Sequence, residues 1–210
     1  MGASLLALSL ESPNQLVNLL QRVGFGRPTE SLFPGERAGS LETRAYWAPV
    51  EVATLSYGYG LSVTAVQLAH AYAALANDGK QMPITLLKAT QLVQPHPIFK
   101  ELFAHQLVNM LETVLSDEGT AQKARVAGYR VAGKTGTVHT LSGRSYDENR
   151  YTALFAGIAP ASHPQIAMVV IINDPQGDYY GGLVAAPVFS RIMTELLRIR
   201  SVPPDQAYPL

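Results

Sequence analysis

The sequence predicts a mixed α+β fold with an antiparallel pair of strands packed against helices. Two strand-like runs, Tyr151 to Ala159 and Ile166 to Asn173, are joined only by Pro160-Ala161-Ser162-His163-Pro164, a link short enough for an antiparallel pair. Ile166 to Ile172 is apolar on both faces, as a central strand covered on both sides should be. Several other segments repeat apolar residues at helical spacing, which marks helices with one buried face.

Composition narrows the function classes. A chain of 210 residues suits one domain, or a large piece of one, with a sizeable core. The hydrophobic share of 47% and the charged share of 15% indicate a globular chain. The formal net charge is zero, so no basic field points to nucleic acid or an anionic membrane. Cysteine is absent, which removes disulfides, thiolate metal sites and cysteine catalysis and is compatible with an oxidising compartment. No cofactor and no metal is expected. No run reaches the ~18 apolar residues of a membrane span, and no signal peptide precedes the first helix, so any anchor or export signal is expected outside this chain.

The elements follow in order. Ala3 to Leu10 is apolar and reads as a helix without a cap in front. Ser12-Pro13 fits an N-cap followed by proline at the first helical position, and Leu16, Leu19, Leu20 and Val23 keep helical spacing up to Gly24. Ser12-Pro13-Asn14 also has the form Ser-x-Asn, but the cap explains both Ser and Pro. Arg27 to Val50 lacks periodicity and reads as an ordered surface excursion, with Trp47 as its anchor. Tyr57-Gly58-Tyr59-Gly60 is a tight backbone path before the next helix. Thr64 and Gln67 form a capping box for that helix, a small-residue one that ends at Asn77-Asp78-Gly79. His70 within it is read as a packed or surface residue. Ile84 to Val93 reads as a strand broken by Pro95 and Pro97. Lys100 to Leu115 is an amphipathic helix, and Glu118 to Ala121 turns into a short helical piece.

Val131-Ala132-Gly133-Lys134-Thr135-Gly136-Thr137 comes next and organises the chain. A loop rich in Gly, Ser, Asp and Asn is expected from there to about Arg150. A lysine ammonium beside a threonine hydroxyl can hold a carboxylate, and a glycine lets an extended substrate lie close along the backbone. On an edge strand, free backbone groups can pair with a peptide, and the Thr137 N–H can face a developing oxyanion. After the two long strands, Gly177 to Gly182 reads as a glycine-framed aromatic loop. Pro187 fits the first position of a last helix whose core face is Val188, Ile192, Leu196 and Ile199. Ser201 to Leu210 is a proline-rich tail.

Lys-Thr-Gly is also one of three signatures of penicillin-reactive serine acyl-transfer enzymes. The order of parts resembles the C-terminal half of a class B penicillin-binding protein transpeptidase domain, of the division-specific type called penicillin-binding protein 3. The strings that carry the resemblance are Tyr57 to Ala69, Ala74 to Gly79, Gly119-Thr120-Ala121, Gly128 to Thr137, Phe155 to Pro160, Ile172 to Pro175, Tyr179 to Gly182 and Ala186 to Phe189. The resemblance implies an antiparallel five-stranded sheet between helices, incomplete at the N-terminus. Residues 1–200 would be the C-terminal part of a single domain and 201–210 a tail. It further implies acyl transfer on peptidoglycan stem peptides ending in D-Ala-D-Ala, with β-lactam antibiotics acylating the same serine. The setting would be septal cell-wall cross-linking with divisome partners, at the periplasmic face of the inner membrane, where an N-terminal helix absent here would anchor the parent. Lys134, Thr135, Gly136 and Thr137 would bind substrate or drug, Lys134 and the Thr137 N–H would serve catalysis, and Tyr151, Tyr179 and Tyr180 would wall the site.

The sequence also departs from that pattern. It contains no Ser-x-x-Lys, so no nucleophile is expected in this chain, and it begins just after the point where Ser-x-Asn stands in relatives. His139 falls where close relatives often carry arginine or lysine. Three readings fit these facts: a fragment of a transpeptidase that is inert alone, a serine β-lactamase or D,D-carboxypeptidase, and a non-catalytic binding module on the same fold.

Overall fold

The computed structural model describes residues 2–88, 93–142 and 145–206. The chain forms two compact units, Met1–Ala71 with Gln81–Ile98, and Tyr72–Lys80 with Phe99–Leu210.

The first unit carries α1 (Gly2–Leu8), α2 (Pro13–Arg22), a two-strand ribbon of β1 (Ser40–Leu41) and β2 (Leu61–Ser62), and α3 (Pro49–Leu55). It also holds the start of α4 (Ala65–Ala76), most of whose remaining turns fall in the second unit. The Ser12 hydroxyl accepts from the Asn14 N–H at 3.3 Å and Pro13 opens α2, so Ser12 is the cap that the sequence suggested. Trp47 is buried among Ala7, Val17, Val52 and Leu55, with the Arg44 guanidinium 5.3 Å from its ring. The surface excursion is therefore anchored as expected, with β1 and the start of α3 as additions that no periodicity announced.

Gln67 ties this excursion down. Its Oε1 accepts from the Thr64 N–H at 2.7 Å and the Thr64 hydroxyl accepts from the Gln67 N–H at 3.1 Å, which completes the capping box. Its Nε2 donates to the carbonyls of Gly24, Arg27 and Ala38. The residue is only 1% exposed, so its amide is shut off from water. We expect Gln67→Glu, which keeps an acceptor and loses the amide donor, to destabilise the protein by about 2–3 kcal/mol, the cost of setting a buried carboxyl group against three part-buried carbonyls that lose their donor. Denaturant melts would check this, and an unchanged midpoint would mean that the carbonyls find other donors.

The region expected as a strand at Ile84 to Val93 differs. Residues 84–88 and 93 have no strand conformation, and residues 89–92 lie outside the described residues. The strands near it are short, β3 (Lys80–Gln81) and β4 (His96–Pro97). The prolines at 83, 95 and 97 remove ladder donors on both sides of the apolar run, which limits pairing.

The second unit is a sheet between helices. Strands β5 (Ala132–Ser142), β6 (Ser145–Ala159) and β7 (Ile166–Asn173) pair antiparallel in that order. The loop expected as far as Arg150 is instead the far end of a hairpin, with both strands running on past His139. Its β-branched and aromatic residues, such as Val138, Thr140, Tyr151 and Thr152, favour extended backbone over the loop that its polar residues suggested. Residues 143–144 lie outside the described residues. This sheet has three strands among the described residues, where the resemblance implied five.

Alternation along β6 sends side chains to two different cores. Phe155 and Ala159 pack with Phe189, Met193 and Leu197 of α6 (Gly181–Ile199). Ile158 packs on the other side with Val108 of α5 (Glu101–Glu112) and with Tyr72 and Leu75 at the end of α4. The apolar residues of β7 divide likewise, with Ile166, Met168, Val170 and Ile172 toward the α6 core and Ala167 toward the other. The expected cover on both sides is therefore only partial: on the second face Val169 joins no core cluster and Ile171 is exposed, and β7 is a sheet edge among the described residues rather than a central strand.

α6 starts six residues earlier than the sequence suggested. Gly181 and Gly182 are its first turn and Pro187 lies inside it, not at its first position. The cause is close approach. A Cβ on Gly181 would stand 2.6 Å from the Gly136 carbonyl oxygen, and one on Gly182 would overlap the Thr120 carbonyl oxygen. Only glycine lets the helix begin against the strand, and the helix then absorbs Pro187 at the cost of one N–H toward Leu183. The tail is also held: the Tyr129 hydroxyl donates to the Val202 carbonyl, and Asp205 accepts from the Arg130 N–H and the Ser162 hydroxyl. Residues 207–210 lie outside the described residues.

Candidate active site

The site is built on β5, whose one ladder runs to β6, leaving its other edge unpaired among the described residues. Lys134, Thr135, Gly136 and Thr137 stand opposite Ala156, Phe155, Leu154 and Ala153. An exposed edge of this kind can accept an extended peptide through its backbone groups. Gly136 has a packing reason as well, since a Cβ there would lie 2.8 Å from Leu154 Cγ.

Alternation separates the motif into two faces. Thr135 and Thr137 share one, turned toward the start of α6. The Thr137 hydroxyl accepts from the Gly181 N–H at 3.0 Å. The Thr135 hydroxyl lies 3.1 Å from that of Thr120. Lys134 and Gly136 take the opposite face, so lysine and threonine do not stand side by side as the tetrapeptide suggested. The Lys134 Nζ donates to the Thr135 carbonyl at 2.8 Å. Surrounding protein partly desolvates this ammonium and lowers its pKa below the ordinary lysine value, although the residue as a whole is exposed. No carboxylate pairs with it among the described residues.

The three tyrosines named from the sequence come together. Tyr151 stacks on Tyr179 with ring centroids 4.1 Å apart, and Tyr179 meets Tyr180 at 4.5 Å. His139 faces Tyr151 across the ladder at 4.6 Å. The Tyr179 hydroxyl donates to that of Tyr180, and this bond, with the neighbouring phenol, raises the Tyr179 pKa to about 12. The wall and the motif meet because Tyr180 caps α6 and the next residue, Gly181, binds Thr137.

A family model described as the penicillin-binding protein transpeptidase domain matches residues 2–194. The chain belongs to the penicillin-binding protein transpeptidase domain family. The transpeptidase domain is similar, at 43% identity over 205 residues, to the probable peptidoglycan D,D-transpeptidase PbpC of Pseudomonas aeruginosa, and at 42% to the peptidoglycan D,D-transpeptidase FtsI of Escherichia coli. Each match covers 97% of this chain and 36% or 35% of the relative, so the chain spans about a third of their length. The TP domain of penicillin-binding protein 3 from Burkholderia pseudomallei superposes with a TM-score of 0.90 at 41% identity, covering 98% of this chain and 63% of that one.

Two groups at this edge of the transpeptidase domain had no signal as site residues in the sequence, the Thr120 hydroxyl and the Gly181 N–H. Gly119-Thr120-Ala121 carried the family likeness but gave no sign of its contact with a residue 15 positions on.

Proposed function

We propose that this chain is the C-terminal part of the transpeptidase domain of a serine-type peptidoglycan D,D-transpeptidase, with the nucleophile supplied by residues outside these 210. The single observation that carries this reading is the match over residues 2–194, in which the Lys134 to Thr137 strand is retained and presented on an open sheet edge. In the proposed reaction, the serine oxygen attacks the penultimate carbonyl of a stem peptide ending in D-Ala-D-Ala. The C–N bond breaks, and D-alanine leaves as the protonated amine. An amine of a neighbouring stem peptide then attacks the acyl ester and expels the serine.

The proposed roles are these. The terminal carboxylate of the substrate lies against the Thr135 and Thr137 hydroxyls. Because Thr137 Oγ1 already accepts from Gly181, its own proton is free to donate to that carboxylate. Lys134 supplies positive potential from the other face of the strand, and the Thr137 N–H is half of the oxyanion hole. Tyr151, Tyr179 and Tyr180 form an apolar wall for the substrate or for a β-lactam side chain. Residues 1–200 belong to one transpeptidase domain in this reading, with 201–210 its tail. The setting proposed with it is septal cross-linking with division partners at the periplasmic face of the inner membrane, as the resemblance to the division-specific type implies. No helix among the described residues is long and apolar enough to cross a membrane.

The test is D-alanine release by the full-length protein from a pentapeptide substrate with a supplied amine acceptor. Release with formation of the cross-linked product is expected. Release without incorporation of the amine would indicate a carboxypeptidase, and no release would indicate a binding module.

A further inference from the structure

We infer that Thr120, outside the Lys-Thr-Gly-Thr motif, is a positioning residue for carboxylate recognition, acting through the Thr135 hydroxyl. This rests on the transpeptidase reading and adds to it the source of one hydroxyl's orientation. A threonine hydroxyl has one proton, so when Thr135 gives it to a carboxylate, its oxygen is left as the acceptor in the bond to Thr120. Thr120 Oγ1, at 3.1 Å, is the hydroxyl placed to supply that donor. The direction is then set: Thr120 donates to Thr135, and Thr135 donates to the substrate. Each bond polarises the next. The Gly181 N–H does the same for Thr137, so both hydroxyls of the motif are turned outward by donors from behind.

The segment that presents Thr120 is built to hold it still. The Gly119 N–H donates to the Ser116 carbonyl at 2.9 Å, and the Ala121 N–H to Val114 at 3.0 Å. A Cβ on Gly119 would overlap the Val114 carbonyl oxygen, so the turn closes only with glycine. Arg125 binds the Leu115 carbonyl at 2.7 Å and Asp117 at 2.6 Å across the same turn. On the other side, Gly182 brings α6 down onto the Thr120 carbonyl, again with no room for a Cβ. An exposed threonine fixed this firmly, with its hydroxyl on a motif residue, has the form of a support for the residue that touches substrate.

The experiment measures β-lactam acylation by the full-length protein carrying this chain. Thr120→Val keeps the shape and removes the donor. Its acylation efficiency is expected to fall about tenfold, the value of one hydrogen bond, with an unchanged melting temperature. Thr120→Ser should restore the rate to within about twofold. In a Thr135→Ala background, Thr120→Val should have no further effect, since its target is gone. A β-lactam whose carboxylate is esterified should be insensitive to Thr120→Val. An unchanged rate, an equal loss with acid and ester, or additive losses in the double variant would overturn the inference while leaving the transpeptidase reading intact. A parent protein that is never acylated would overturn both.

Discussion

Gly182→Ala is expected to destabilise the protein by about 3 kcal/mol or more, against a gain of at most about 1 kcal/mol from helix propensity. The new methyl group would overlap the Thr120 carbonyl oxygen and lie 3.5 Å from Thr135 Cγ2. Neither partner is the free end of a flexible side chain. The carbonyl is held by the turn that ends at Ala121, and Thr135 is in the ladder with Phe155. The start of α6 must therefore lift from β5. That motion would pull on the Gly181 N–H bond to Thr137, so acylation should fall together with stability. Gly2→Ala is the control, because nothing lies within 4 Å of a Cβ there. Denaturant melts of both variants decide, and equal midpoints would mean that the helix start can shift without cost.

Lys134→Ala should lower β-lactam acylation of the full-length protein by roughly 10²–10³-fold, the scale seen when one electrostatic contact to a transition state is removed. The fold should survive, since Lys134 is exposed, belongs to no core cluster and pairs with no carboxylate among the described residues. The pH profile gives an independent sign. The ammonium has a pKa below the ordinary lysine value because it is partly desolvated. Acylation should therefore decline as pH rises through that lowered value, and Lys134→Ala should lack the decline. Stability should move the other way. The unfolded chain holds this proton to higher pH than the folded one, so folding is favoured as pH rises between the two pKa values. A decline that persists in Lys134→Ala would assign it to another group.

Local patterns revealed much of this molecule and missed contacts set by distant backbone. The Thr64–Gln67 capping box, the Ser12-Pro13 helix start and the strand at 166–173 lie where residue types alone place them, and 151–159 is strand as expected although β6 begins six residues earlier. The start of α6 was misread because Pro187 is a strong local signal, whereas Gly181 and Gly182 answer to the carbonyls of Leu154, Gly136 and Thr120. Within the site, the motif and its tyrosines were legible as residue types. Their division between two faces follows from strand alternation. The hydrogen-bond partners of the Thr135 and Thr137 hydroxyls come from 15 and 44 residues away, beyond what any local spacing encodes.

In the proposed reading, this chain provides the substrate-binding strand of a penicillin-reactive site and not its nucleophile. Peptide mapping by mass spectrometry, after the full-length protein is incubated with a penicillin, tests this most directly. One covalent adduct of intact penicillin mass is expected on a serine outside residues 1–210, and none within them. An adduct on a serine inside these residues, or no adduct anywhere, would contradict it.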